Sequence, residues 1–125
     1  MITIDYKSRV PIYDQITGGI IRLKTLGILK AGDKLPSVRA MAIDLGINPN
    51  TVQRAYNILE ADGVIFSVAG KGSFISDDKK ATDAILSAAK KTFKQAVEQA
   101  RQAGLDEATL KKIIDNVIKG GNEDD

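Results

Sequence analysis

The sequence predicts a mainly α fold with one small β-hairpin: three short helices, the hairpin, then two longer amphipathic helices. Three observations lead there. Apolar residues recur at helical spacing in five separate stretches. Two of those stretches, "PSVRAMAIDL" and "NPNTVQRAYNIL", are separated only by Gly46 and Ile47. Finally, the β-favouring run "VIFSVAGKGSFIS" carries a glycine-flanked turn at its centre.

The first helix is expected from Pro11 to about Leu26, with Ile12, Ile16, Ile20 and Leu23 on one face and Pro11 at a position where its missing N–H costs nothing. Gly18 and Gly19 interrupt it, each weakening a helix by up to about 1 kcal/mol relative to alanine. Either another element packs closely there or the helix is locally poor. Gly27 is a plausible C-cap, and "KAGDKLP" reads as an extended turn, with Pro36 biasing Leu35 away from helix.

Ser37 caps a second helix in which Val38, Met41, Ala42 and Leu45 share a face, and Gly46 ends it. A third begins almost at once, with Asn48 as N-cap and Pro49 in the first helical position. Val52, Ala55, Tyr56 and Leu59 form its apolar stripe, leaving Asn50, Thr51, Gln53, Arg54 and Asn57 around the rest. That face is polar but hardly charged. A merely solvated face more often carries Glu and Lys, whereas amides, hydroxyls and a single arginine are groups that hydrogen-bond base edges and phosphates.

Residues 64–68 and 73–76 then flank "AGKG" as a two-stranded hairpin with Lys71 at its tip. Three helices with a tight turn between the second and third, followed by such a hairpin, make a winged helix-turn-helix whose third helix enters the major groove. The hairpin, or wing, would lie along the backbone or in the minor groove.

From about Lys79 to Ala103 a longer helix carries Ile85, Leu86, Ala89, Phe93, Ala96, Val97 and Ala100 on one side. After Gly104, Asp106 is the expected N-cap of a fifth helix, with Leu105 and Leu110 placed as a hydrophobic staple and Ile113, Ile114, Val117 and Ile118 continuing the stripe. Two helices of this size do not enclose a core alone. Their stripes need burial against the head or against a second subunit, and the two-fold symmetry of operators read by such heads favours the subunit. Leu86, Ala89, Phe93, Val97, Leu110, Ile113, Ile114 and Val117 are the expected dimerisation residues. The division is therefore residues 1–77 as DNA-binding head, 78–120 as a two-helix dimerisation domain, and 121–125 as an acidic tail expected to be disordered.

Composition narrows the function classes. At 125 residues, 43% hydrophobic and 27% charged, the chain is that of an ordinary globular protein. It has neither cysteine nor histidine, which removes thiol chemistry, cysteine metal sites and the commonest general base. There is no Gly-rich phosphate loop, no "GxSxG" and no paired carboxylates, so no enzyme, cofactor or metal site is expected. The N-terminus lacks the basic-then-apolar order of a secretory signal, and no apolar run approaches the roughly 18 residues of a membrane span, so a cytoplasmic location is expected. Residues 1–76 hold nine Lys/Arg against six Asp/Glu, while residues 77–125 hold nine against ten. A modestly basic front half suits a DNA-binding head joined to a protein-contacting tail.

Residues 32–75, "GDKLPSVRAMAIDLGINPNTVQRAYNILEADGVIFSVAGKGSFI", resemble the winged head of the GntR family of bacterial transcription regulators. The phrase "NPNTVQRAY" and the short two-helix tail resemble its YtrA-like subfamily. The resemblance implies a dimeric, sequence-specific DNA-binding protein, usually a repressor of its own operon, often one encoding ABC transporter components. It assigns a base contact to Arg39, phosphate and base contacts to Asn48, Asn50 and Thr51, and wing contacts to Gly70 and Lys71, with Gly72 allowing close backbone approach. Many relatives carry arginine at the positions of Pro49 and Gln53, so the base preferences of arginine-bearing relatives do not transfer.

Physical roles stand beside these assignments. Arg39 has the fork that favours guanine O6 and N7, and Gln53 matches adenine N6 and N7 but also suits water or phosphate. Ser37, Asn48 and Thr51 sit at helix N-termini, which attract phosphate, although capping alone would explain them. Arg54 has two readings, a phosphate contact or an intrachain ion pair with Asp62 or Glu60. The tail is too short to surround a metabolite filling about 300 Å³ or more, so any small-molecule effector is expected at the dimer seam or between head and tail. Two other classes stay open at this level: a winged-helix protein-interaction module, and a non-specific architectural DNA binder, which the low net charge of +2 disfavours.

Overall fold

The computed structural model describes residues 2–120, and the expected acidic tail at 121–125 lies outside them. Seven elements follow one another: α1 (Ile12–Thr25), α2 (Val38–Leu45), α3 (Pro49–Ala61), β1 (Ile65–Val68), β2 (Gly72–Ile75), α4 (Lys79–Gln102) and α5 (Glu107–Ile118). Residues through Asp83 form one compact unit and those from Ala84 a second.

In the first unit the apolar stripes of the three helices converge. Ile16 and Ile20 of α1 meet Val52, Ala55 and Leu59 of α3, all fully buried, and α2 adds Met41 and Ala42. Short polar signals set the boundaries. Ser37 Oγ accepts from Ala40 N at 3.0 Å, opening α2, and Asn48 Oδ1 accepts from Asn50 N at 2.8 Å, opening α3 directly before Pro49. Between them Gly46 closes α2 in the left-handed region at φ 68°, ψ 36°, a conformation that a Cβ would strain. The turn can therefore be as short as the sequence suggests. Tyr56 reaches out of this core to donate its hydroxyl to Pro36 O at 2.6 Å, and burial pushes its pKa up to about 12.

The two adjacent glycines of α1 part company. A Cβ at Gly19 would lie 3.3 Å from Ile2 Cγ1, whereas one at Gly18 would meet nothing within 4 Å. Close packing thus explains Gly19, and the N-terminal segment is what packs. Gln15 holds that segment by accepting from Asp5 N at 2.8 Å and donating to Asp5 O and Val10 O.

β1 and β2 pair antiparallel with Ile65 opposite Ile75 and Phe66 opposite Phe74, whose rings stack at 5.6 Å. A third extended segment joins the free edge of β2. Gly32 N donates to Ile75 O, Ile75 N to Asp33 O and Leu35 N to Ser73 O, with Lys34 bridged to Phe74. The stretch read from sequence as an extended turn is therefore also a strand-like partner of the wing, anchored by buried Leu35.

The second unit holds α5 and all but the first five residues of α4, and both helices carry their expected stripes. Asp106 caps α5, its Oδ1 accepting from Thr109 N at 2.9 Å. Hydrogen bonds from Thr109, side chain first and backbone second, hold the Asp106 carboxyl below its ordinary pKa. Among the described residues of α4 and α5 only Thr82, in the first turn of α4, is buried. No helix among the described residues is long and apolar enough to cross a membrane.

Candidate nucleic-acid interface

The polar face of α3 exists because its other face is committed. With Val52 and Ala55 fully buried and Tyr56 nearly so, the 3.6-residue period turns Asn50, Gln53, Arg54 and Asn57 outward. Thr51 is half-buried. Ser37, Arg39, Asn48 and Pro49 are exposed on the neighbouring turn and the start of α2, and Gly70, Lys71 and Gly72 on the wing.

A groove of about 460 Å³ runs between the wing and the α2–α3 pair. It brings together five of the residues singled out from sequence: Ser37, Gln53, Gly70, Lys71 and Gly72. Arg39, Asn48, Pro49, Asn50, Thr51 and Arg54 lie outside its lining. Arg39 lies in the first turn of α2 and Asn48, Pro49, Asn50 and Thr51 at the start of α3, where the helix dipole favours an anion, and Arg54 lies a turn further along α3.

Several side chains are pre-ordered. Gln53 Nε2 donates to Asn57 Oδ1 at 2.8 Å, one turn on, which holds its amide. Glu60, which also lines the groove, accepts from Ser67 Oγ at 2.8 Å. Ser37 Oγ and Asn48 Oδ1 accept the capping bonds, so what their side chains still offer a ligand is donors, the Ser37 hydroxyl hydrogen and the Asn48 Nδ2 amide. Arg54 does not make the ion pair with Glu60 or Asp62 that was one of its two readings: its guanidinium lies over the Tyr13 ring, 3.8 Å from the centroid, joining α3 to the start of α1.

One cation in the groove was missed by the sequence reading. Lys34 lines it, delivered there by the strand-like pairing of residues 32–35 with β2. The available signal was "GDKLP" as an extended segment next to a hairpin with an open edge. Such pairing is non-local and leaves no periodic trace in so short a stretch.

Comparison with known proteins agrees with this geometry. The family described as "Bacterial regulatory proteins, gntR family" matches residues 12–75. The chain is 40% identical to the HTH-type transcriptional repressor YtrA of Bacillus subtilis (strain 168), with all of both chains covered. It is similar in structure to a transcriptional antiterminator from Listeria monocytogenes EGD-e, with a TM-score of 0.75 and 34% identity over 94% of this chain and 89% of that one. YtrA from Sulfolobus acidocaldarius, a GntR-family transcription factor, is similar with a TM-score of 0.58 and 41% identity over 70% of this chain and 95% of that one.

Proposed function

The chain belongs to the GntR family of bacterial regulatory proteins, in its YtrA-like branch, and from that premise we propose that it is a homodimeric repressor reading an inverted-repeat operator. It is a DNA-binding transcription regulator with a winged helix-turn-helix, and not an enzyme. In our reading it acts in the cytoplasm, on its own operon with ABC transporter genes.

The observation that carries the proposal is the face of α3. An exposed, weakly charged row of Asn50, Gln53 and Asn57 stands opposite a fully buried stripe, beside a wing tipped by Lys71. A helix so placed enters the major groove by its N-terminal turn. Gln53, with its amide held by Asn57, has the donor and acceptor needed for an adenine edge, and Arg39 at the head of α2 has the fork for guanine. Lys71 meets the sugar–phosphate backbone, which adds affinity without sequence preference.

The tail supplies the symmetry. Phe93, Ile113, Ile114 and Val117 are exposed along α4 and α5, joined by Ala89 and the half-buried Leu86, Val97 and Leu110. Burying this stripe against a second copy pairs two heads on half-sites about 34 Å apart, one helical turn of DNA.

Selection of bound duplexes from a random pool at near-physiological salt tests the proposal, with wild type and Arg39→Ala run in parallel. A two-fold symmetric motif for wild type that relaxes at one position per half-site for Arg39→Ala is expected. Absence of any enriched motif would overturn the regulatory reading of this site and shift attention to a protein partner.

A further inference from the structure

Lys34 occupies a position that its neighbours define. Its backbone is bridged to Phe74 at the open edge of β2, and flanking bonds from Leu35 N to Ser73 O (2.9 Å) and from Ile75 N to Asp33 O (2.8 Å) fix where its side chain leaves the sheet. From there the chain crosses the wing over Gly72. A Cβ at residue 72 would stand 3.0 Å from Lys34 Cε and 3.8 Å from Nζ. That space is occupied by lysine because residue 72 has no side chain, so Gly72 serves a close approach within the protein as well as its φ of 117°.

The path delivers a cation into the groove between the wing and α3, where Lys71, Ser37 and Gln53 also line the wall. Lys34 is exposed, and among the described residues it has no ion-pair partner. Glu60, the carboxylate lining the same groove, is engaged by the Ser67 hydroxyl. A lysine steered by backbone pairing and left without an ion-pair partner is arranged to meet an anion from outside.

We propose that Lys34 is a DNA-contacting residue that holds a backbone phosphate of the strand running between α3 and the wing, with Gly72 as its positioning residue. The inference rests on the regulatory reading above and deepens it. The wing then grips the duplex with two cations, Lys71 at its tip and Lys34 reaching across from the segment paired with the β2 edge. The second is coupled through the chain to Leu35, Pro36 and Ser37, and so to the start of α2.

The test is the salt dependence of binding to the duplex selected by wild type. Each phosphate neutralised contributes about 0.9 to the slope of log affinity against log salt. Lys34→Gln is expected to lower that slope by about one per protomer, with sequence preference retained, while Lys34→Arg keeps the wild-type slope. Wild-type melting temperature for Lys34→Gln shows that the fold is intact. A slope unchanged in Lys34→Gln, with wild type still binding its motif, would overturn this inference alone, even if affinity fell. Failure of wild type to select any duplex would instead remove the regulatory reading, and this inference with it.

Discussion

The head and the tail of this chain are written in the same amphipathic code and end in opposite states. In the head, Ile16, Ile20, Val52 and Leu59 are fully buried within one unit. In the tail, Phe93 remains 54% exposed, Ile113 46%, Val117 70% and Ile118 77%. An apolar stripe states that a face requires burial, but not what buries it. The head satisfies its stripes internally and presents a polar face for DNA. The tail presents the stripe itself, which is the basis for proposing a second copy as its cover.

Breaking the tail should have the largest effect. Phe93→Asp together with Ile113→Asp is expected to convert the chain to a monomer in sedimentation at micromolar concentration. Operator affinity should fall by about 10²–10⁴-fold, the advantage that linked binding modules hold over single ones. The head should still melt cooperatively. Retained dimers would place the seam elsewhere.

Core truncation sharpens the contrast. Ile20→Ala is expected to cost about 2–5 kcal/mol in denaturant unfolding, independent of protein concentration. Ile113→Ala should instead show a cost that grows with concentration, because its burial depends on association. Concentration-independent losses at both sites would erase the distinction between the two regions.

Smaller effects follow at the polar groups that frame the head. Removing a cap by Asn48→Ala should cost about 1 kcal/mol, read as a lower denaturation midpoint. Tyr56 has a folded pKa of about 12 against an ordinary 10.0, so its contribution is fully present below pH 10 and is lost as pH rises towards 12. Tyr56→Phe should flatten that alkaline loss. In the tail the sign reverses: the lowered Asp106 carboxyl stabilises α5 above its ordinary pKa and stops doing so as pH falls through the folded value. Asp106→Asn, which still caps, should remove that acid dependence in α5 helicity. Smallest of all, Tyr13→Leu should cost about 0.5–1 kcal/mol by releasing Arg54, with the loss absent in an Arg54→Leu background.

What was legible in the sequence was local. Ser37, Gly46, Asn48, Pro49 and Asp106 each act within a few residues of themselves, so their types announce the helix ends that the structure contains. The hairpin was legible for the same reason. The missing parts join residues far apart. Lys34 pairs with Phe74, Ile2 lies over Gly19, and Arg54 stacks on Tyr13, none of which leaves a periodic mark. Arg54 is instructive: sequence distance pointed to Glu60 and Asp62 on its own helix and cap, whereas the packing of α1 on α3 offered it the Tyr13 ring. The candidate site was half legible, since the recognition face follows from the α3 period but the Lys34 cation required the sheet edge.

In the proposed assembly two heads, joined through their tails, read one symmetric site. Native mass spectrometry of the full chain on the selected duplex, with the protein limiting, tests it most directly. Two chains per duplex with little singly occupied species are expected, and one chain per duplex when a half-site is scrambled and the tail carries Phe93→Asp and Ile113→Asp. A single chain bound to the intact duplex, or equal occupancy of an unrelated duplex, would contradict it.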